Sequence, residues 1–244
     1  MTAASIPAAT LVLMRPGPRS PEVLMIERGA EMAFAPGALV FPGGRIDEDD
    51  RLLGAGDIDA AKVAAIRETV EETGIAAALD PAPNDALEAS LRTELARKEP
   101  LSRLLAAYGL KLRLDALVPF ARWRPTFKET RSFDTLFFIA RAPVDSRIPT
   151  GDAVESVHAL WTTAQDVLDR ADRGESRIIF PTRRNLERLA RFASFEEAVE
   201  QARTHPVETI VPYIEARDGA DWLCIPEGRG YPVTAELLET ARRG

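Results

Sequence analysis

Arg67-Glu-Thr-Val-Glu-Glu-Thr-Gly-Ile75 is the stretch on which the reading of this chain turns. From Asp59 to Thr73 the residues favour a helix, with Asp59 as the expected N-cap and Gly74 as the stop. With Arg67 at 0°, Glu71 falls at about 40°, Glu68 at about 100° and Glu72 at about 140° around the helix. Val63, Ile66 and Val70 fall at about 320°, 260° and 300°. Three carboxylates and one guanidinium thus share a face roughly opposite the apolar stripe. A solvated acidic face is the ordinary explanation, and two features oppose it. Glu68 and Glu72 are a like-charge i,i+4 pair, and Glu71 and Glu72 stand in the last turn, where the helix dipole disfavours acids by about 0.3–1 kcal/mol each. A dication would reverse the sign of that repulsion.

Composition says which metals such a face could serve. The chain has 244 residues, with 31 Lys+Arg against 38 Asp+Glu and a net charge of −7. Its 45% hydrophobic and 28% charged residues suit one large globular domain, or one domain with an appendage. One cysteine, Cys224, excludes an intramolecular disulfide and a Cys-rich zinc site, and two histidines, His158 and His205, exclude a three-histidine site. Those three residues read as structural. A metal held here needs carboxylates, hence a hard cation such as Mg²⁺ or Mn²⁺. The acidic balance opposes an extended nucleic-acid footprint. The N-terminal run Ala8 to Met14 is too short for a membrane span and lacks the basic flank of a signal peptide, so the expected location is cytoplasmic.

The helix resembles the second half of the Nudix box, G-x5-E-x7-R-E-U-x-E-E-x-G-U with U aliphatic, the signature of the Nudix hydrolases. Arg67, Glu68, Glu71, Glu72, Gly74 and Ile75 match, Thr69 replaces an aliphatic residue, and Phe41-Pro-Gly-Gly44 matches the loop that opens the box. Gly43, Gly44 and Gly74 are thereby motif positions. The spacing departs from the pattern: Gly44 and Arg67 lie 23 positions apart instead of 14. Counting forward places the first acid at Asp50, and counting back places it at Asp59. The competing role of Asp59 as a cap favours Asp50.

The resemblance implies a divalent-metal-dependent diphosphatase with Glu68, Glu71, Glu72 and the Gly44 carbonyl around Mg²⁺ or Mn²⁺. It makes Glu68 a candidate base, Arg67 the residue that orients a carboxylate, and Glu155, with Glu129 as the alternative, a further catalytic acid from a later loop. It also implies an α/β/α sandwich around a mixed sheet, a small nucleotide substrate and a homodimer. Glu22 to Arg28 and Phe41 to Asp47, followed by Arg131-Ser-Phe-Asp-Thr-Leu-Phe-Phe138, resemble the branch that includes coenzyme A diphosphatases with an interrupted box. On that branch Arg28 would contact phosphate. Arg122, Trp123, Arg124, Lys128 and Arg131 place four cations and one indole within ten residues, a composition suited either to phosphates and an adenine or to a solvated loop. ADP-ribose, dinucleotides and nucleotide sugars are alternative substrates, and a silent nucleotide-binding regulator is the alternative of another class.

Hydrophobic patterning fills in the fold. Ala8 to Met14 and Glu22 to Ile26 read as strands joined by a proline-rich turn, with a third short run at Ala38 to Phe41. Ala82 to Tyr108 reads as two helices broken near Pro100. Leu112 to Phe120, Phe133 to Ala140 and Val157 to Trp161 read as strands, and Gln165 to Arg173 as a helix. The expected organisation is a catalytic domain over 5–174 with a helical insert at about 80–114. Beyond it lies a mainly helical extension over 175–244, packed on the same core.

Overall fold

The structure is a computed structural model that describes residues 5–29, 37–125, 132–147 and 158–243. In chain order it runs β1 (Ile6–Arg15), β2 (Glu22–Glu27), β3 (Leu39–Val40), β4 (Gly43–Arg45), α1 (Glu48–Leu53), α2 (Asp57–Thr73) and β5 (Leu79–Asp80). Next come α3 (Asp85–Ala96), α4 (Leu101–Tyr108), β6 (Lys111–Leu112), β7 (Val118–Trp123), β8 (Phe133–Arg141), β9 (His158–Thr163) and α5 (Ala164–Asp172). The chain continues through α6 (Phe180–Leu189), α7 (Phe195–Thr204), β10 (Thr209–Ile210), β11 (Tyr213–Arg217), β12 (Ala220–Cys224), β13 (Ala235–Leu237) and α8 (Leu238–Arg243).

The central sheet is mixed, in the order β10-β7-β8-β1-β2-β3, with β4 added on β1 and β9 on β2. Strand β1 is parallel to β8 and antiparallel to β2 and β4. Its side chains alternate between two cores, as a strand buried on both faces requires. Ala9, Leu11 and Leu13 join Val63, Ile66 and Val70 of α2 on one face, while Val12 and Met14 meet Val167, Leu186 and Ala198 of α5, α6 and α7 on the other. The result is the α/β/α sandwich around a mixed sheet.

The insert is closed at its base by β5 pairing with β6, and its Leu91, Leu95, Leu101, Leu104 and Leu105 share the core of α2. Three expectations are corrected. Leu112 to Phe120 is not one strand: a 3₁₀ turn at Leu114–Ala116 separates β6 from β7, because the first piece belongs to the insert. Helix α2 begins at Asp57, two residues before the expected cap, with Gly56 as N-cap at φ 147°. Asp59 therefore sits in the first turn, where its charge complements the dipole. The extension is less helical than expected: α6, α7 and α8 are joined by the antiparallel sheet β11-β12-β13, and β10 pairs with β7 of the central sheet. Its hairpin turns on Asp218-Gly219, both at positive φ, the chemistry a tight turn between twisted strands demands.

Buried polar groups fasten this extension to the sheet. Trp123 Nε1 donates to Tyr231 Oη at 3.1 Å, and Tyr231 Oη donates to Asn185 Oδ1 at 2.8 Å. Arg188 donates to the Phe120 carbonyl at 2.8 Å with its guanidinium 3.9 Å from the Phe120 ring centroid. Tyr231→Phe would leave both the Trp123 donor and the Asn185 acceptor buried and unmatched. It is expected to lower unfolding free energy by about 1–3 kcal/mol, read by urea denaturation, and an unchanged midpoint would refute the tie.

Candidate functional site

Helix α2 brings the box side chains together by burying both of its faces. Its apolar stripe lies on β1, while its polar face is covered by β4 and α1. Arg67 is only 7% exposed, and the side chains of Glu68 and Glu71 are 17% and 16% exposed, so this face is not a solvated one. Thr69, at the aliphatic position of the box, is fully buried and its hydroxyl donates to the Ala65 carbonyl at 2.7 Å. That bond makes a polar side chain tolerable there. The helix stops at Gly74, at φ 76°, where the backbone N–H returns to the Val70 carbonyl at 2.8 Å.

Arg67 is the hub. Its Nε and Nη2 donate to the two oxygens of Asp50 at 3.0 and 2.9 Å, its Nη1 to Glu68 at 2.9 Å, and Nη2 also to the Arg45 carbonyl at 2.9 Å. Burial disfavours its charge, but the bonds to Asp50 and the neighbouring acids outweigh burial and raise its pKa. Asp50 is itself fully buried and accepts from the Asp47 backbone N–H at 2.8 Å, closing the first turn of α1. Between the two candidates for the first acid, the structure joins Asp50 to Arg67. Asp59 instead lies 4.0 Å from Lys62, more than a third exposed.

Two of the three glutamates lie against the glycine strand β4. Glu72 accepts from the Gly43 N–H at 2.9 Å. A Cβ on Gly44 would lie 2.3 Å from Glu68 Oε1, and one on Gly43 would lie 2.4 Å from the Ala9 carbonyl. Both glycines are thus required by close approach, and the Gly44 backbone and the Glu68 carboxylate are held against each other. Glu71 meets Lys98 of the loop between α3 and α4, and Arg67 Nη1 at 3.5 Å. Burial, then the charge of Glu68, pushes the Glu72 carboxyl up to about 8, with the Gly43 bond and the charge of Arg28 opposing. Burial likewise raises Glu68 in spite of Arg67.

Among the described residues, no group of three His, Cys, Asp or Glu side chains is already gathered around one point for a metal ion. The donors nonetheless fit one. Two carboxyls whose negative charge is disfavoured stand beside a third and against the glycine backbone of β4. A hard dication is the species that restores their charged form.

Other residues singled out in the sequence divide in two. Arg28, at the end of β2, is close enough to Glu72 to favour its charge, and Arg124 is exposed just beyond β7. Trp123 is the correction: it lies inside β7, 1% exposed, edge-on to Phe180 and Tyr231, so it packs in the core and offers no face to a nucleobase. Arg122 is turned to Asp134 in a bidentate pair at 2.7 and 2.8 Å. Lys128, Glu129, Arg131 and Glu155 lie outside the described residues. Lys98 and Arg92, which donates to the Glu72 carbonyl at 3.3 Å, were not anticipated at the site. The break before Pro100 was the one sequence signal near Lys98, and it gave no direction.

Known proteins offer two informative likenesses. A crystal structure of a Nudix hydrolase from Alicyclobacillus acidocaldarius is 30% identical and superposes with a TM-score of 0.71. That match covers 82% of this chain and 97% of the other. A Caenorhabditis elegans protein with the provisional name nudix hydrolase 7 is 26% identical over 181 residues, 71% of this chain. The chain spans 57% of that relative's length. No protein-family model matches the chain.

Asp50→Asn would leave Arg67 without its bidentate partner in a buried setting, and is expected to cost about 3–5 kcal/mol in urea denaturation. Asp59→Asn should change stability by no more than about 0.5 kcal/mol in the same measurement. The raised Glu72 carboxyl binds its proton more tightly folded than unfolded. It therefore stabilises the metal-free fold below about pH 4.5, and that contribution is lost as pH rises through about 8. Melting curves in EDTA should show Glu72→Gln losing this decline and exceeding the wild type above pH 8.

Proposed function

The chain belongs to the Nudix hydrolase superfamily, and from that membership we propose that it is a metal-dependent pyrophosphohydrolase of nucleoside-diphosphate derivatives, with coenzyme A or an acyl-coenzyme A as substrate. The observation that carries the reading is the corner where Glu72 and Glu68 of α2 lie against the Gly43-Gly44 backbone with Glu71 close to them, paired to Lys98 and Arg67, and with Glu72 pushed up to about 8. Glu68, Glu71, Glu72 and the Gly44 carbonyl, which has two lone pairs, would hold Mg²⁺ or Mn²⁺. Such an ion neutralises diphosphate oxygens and lowers the pKa of bound water.

The protein's own groups supply the remainder. Arg67 fixes the Glu68 carboxylate through a charge-assisted bond of 2.9 Å. Glu68, partly buried and with raised proton affinity, is the candidate base for the attacking water. Arg28, beside Glu72, and the exposed Arg124 are the described cations suited to substrate phosphates. Support for coenzyme A comes from the resemblance around Arg28 and the interrupted box. The burial of Trp123 removes the indole from that argument.

Glu71→Gln and Glu72→Gln are each expected to lower turnover by about a hundredfold or more while leaving the metal-free fold intact. A panel of coenzyme A, ADP-ribose, dinucleotides and nucleotide sugars with Mg²⁺ or Mn²⁺, resolved by product mass, identifies the substrate. Coenzyme A should yield 4′-phosphopantetheine and 3′,5′-ADP. Wild-type turnover in both variants would refute the metal assignment, and tight nucleotide binding with no turnover of any substrate would assign a regulator.

A further inference from the structure

Lys98 is contributed to the site by the insert rather than by the box. It lies in the loop between α3 and α4, and its ammonium pairs with the Glu71 carboxylate across 27 residues of sequence. Two other bonds hold that loop in place. Arg92 of α3 donates to the Glu72 carbonyl at the end of α2, and Ser102 of α4 donates its backbone N–H to Asp49 of α1 at 3.0 Å. Lys98 itself has φ 65°, a left-handed conformation that a glycine would adopt with less strain. Its N–H nevertheless closes on the Leu95 carbonyl at 2.8 Å, and the next N–H, of Glu99, closes on the Glu94 carbonyl at 3.1 Å. A side chain is therefore present where the backbone alone favours having none, and it points its charge at the carboxylate.

We propose that Lys98 is a resident counter-ion of Glu71 that competes with the divalent cation, so that the helical insert sets the metal affinity of the site. Lys98 acts through Glu71, as a positioning residue. Without metal, its ammonium and the Arg67 guanidinium at 3.5 Å neutralise Glu71. Arg67 is pinned by Asp50 and stays, whereas the Lys98 side chain is 75% exposed and can leave into water with its full hydration. A metal ion binding at Glu71 displaces the ammonium, and the lost ion pair is subtracted from the metal's binding free energy. The inference rests on the reading of Glu71 as a metal ligand.

The test is direct titration of full-length, metal-free protein with Mn²⁺ and no substrate, following free Mn²⁺ by electron paramagnetic resonance. Lys98→Met is expected to bind Mn²⁺ about two- to fivefold more tightly than wild type at low salt, the upper part of the range expected for losing one partly exposed ion pair. Raising ionic strength should close the gap, because the pair it removes is screened, and Lys98→Arg should stay near wild type. A loop merely loosened by the substitution would weaken binding or leave it unchanged, with no such salt dependence. Equal or weaker Mn²⁺ binding by Lys98→Met, in a wild type that does bind, overturns the competition alone. A wild type that binds no Mn²⁺ overturns the metal reading together with it.

Discussion

A guanidinium with 7% of its surface exposed has to be answered by anions, and the neighbourhood of α2 is organised around that requirement. Arg67 meets both oxygens of Asp50, one oxygen of Glu68 and the Arg45 carbonyl. Each contact fixes a different element: Asp50 places α1, the Arg45 carbonyl places β4, and Glu68 is held toward the glycine strand. An unpaired charge in such a place would cost several kcal/mol, so the partners cannot drift without unfolding the corner. Stability is only part of what this geometry achieves, because an apolar pair of equal volume would serve stability as well. A fixed guanidinium also fixes the carboxylate whose direction the chemistry needs.

The three acids of α2 are matched unequally. Glu68 has Arg67, Glu71 has Arg67 at a longer distance together with Lys98, and Glu72 has a backbone N–H and the favourable charge of Arg28. The proton affinity of Glu72 follows from that placement. At the carboxyl end of a helix, beside Glu68 and out of water, a second negative charge is the least comfortable state available to it. A helix evolved for stability alone would carry Lys or Arg in this last turn, and none of the last-turn residues of α2 is basic.

Much of this was legible in the sequence wherever a periodic signal met a cap. The short apolar run Ala8 to Met14, stopped by a proline-rich turn, gave β1, and the run ending at Gly74 gave α2 to within two residues. Illegible features were those set by contacts between distant segments. Trp123 looked like a loop residue because cations surround it in sequence, yet strand alternation turns Arg122 outward to Asp134 and Trp123 inward to Tyr231. Counting could not separate Asp50 from Asp59, since an insertion has no preferred position until α1 is folded. The β11–β12 hairpin is a different kind of omission: Asp218-Gly219 is a local signal, overlooked because β11, exposed along its whole length, shows no alternation.

Helix α1 and the α3–α4 segment depend on each other. Residues between Gly44 and Arg67 form α1, and two neighbouring acids of that helix face different ways. Asp50 turns inward to Arg67, while Asp49 reaches the start of α4, accepting from the backbone N–H and the hydroxyl of Ser102. Helix α4 follows Pro100, which offers no side-chain cap, so its positive end is satisfied from outside by a carboxylate on α1. Helix α1 thereby anchors α4, and the α3–α4 segment in turn brings Lys98 to Glu71 and Arg92 to the carbonyl end of α2. Shortening the α3–α4 loop would remove the Lys98 charge from the site without touching any box residue. In this chain the electrostatics of the carboxylate corner are therefore a property of α1, α2 and the α3–α4 loop together, and the signature sequence alone specifies only the acids.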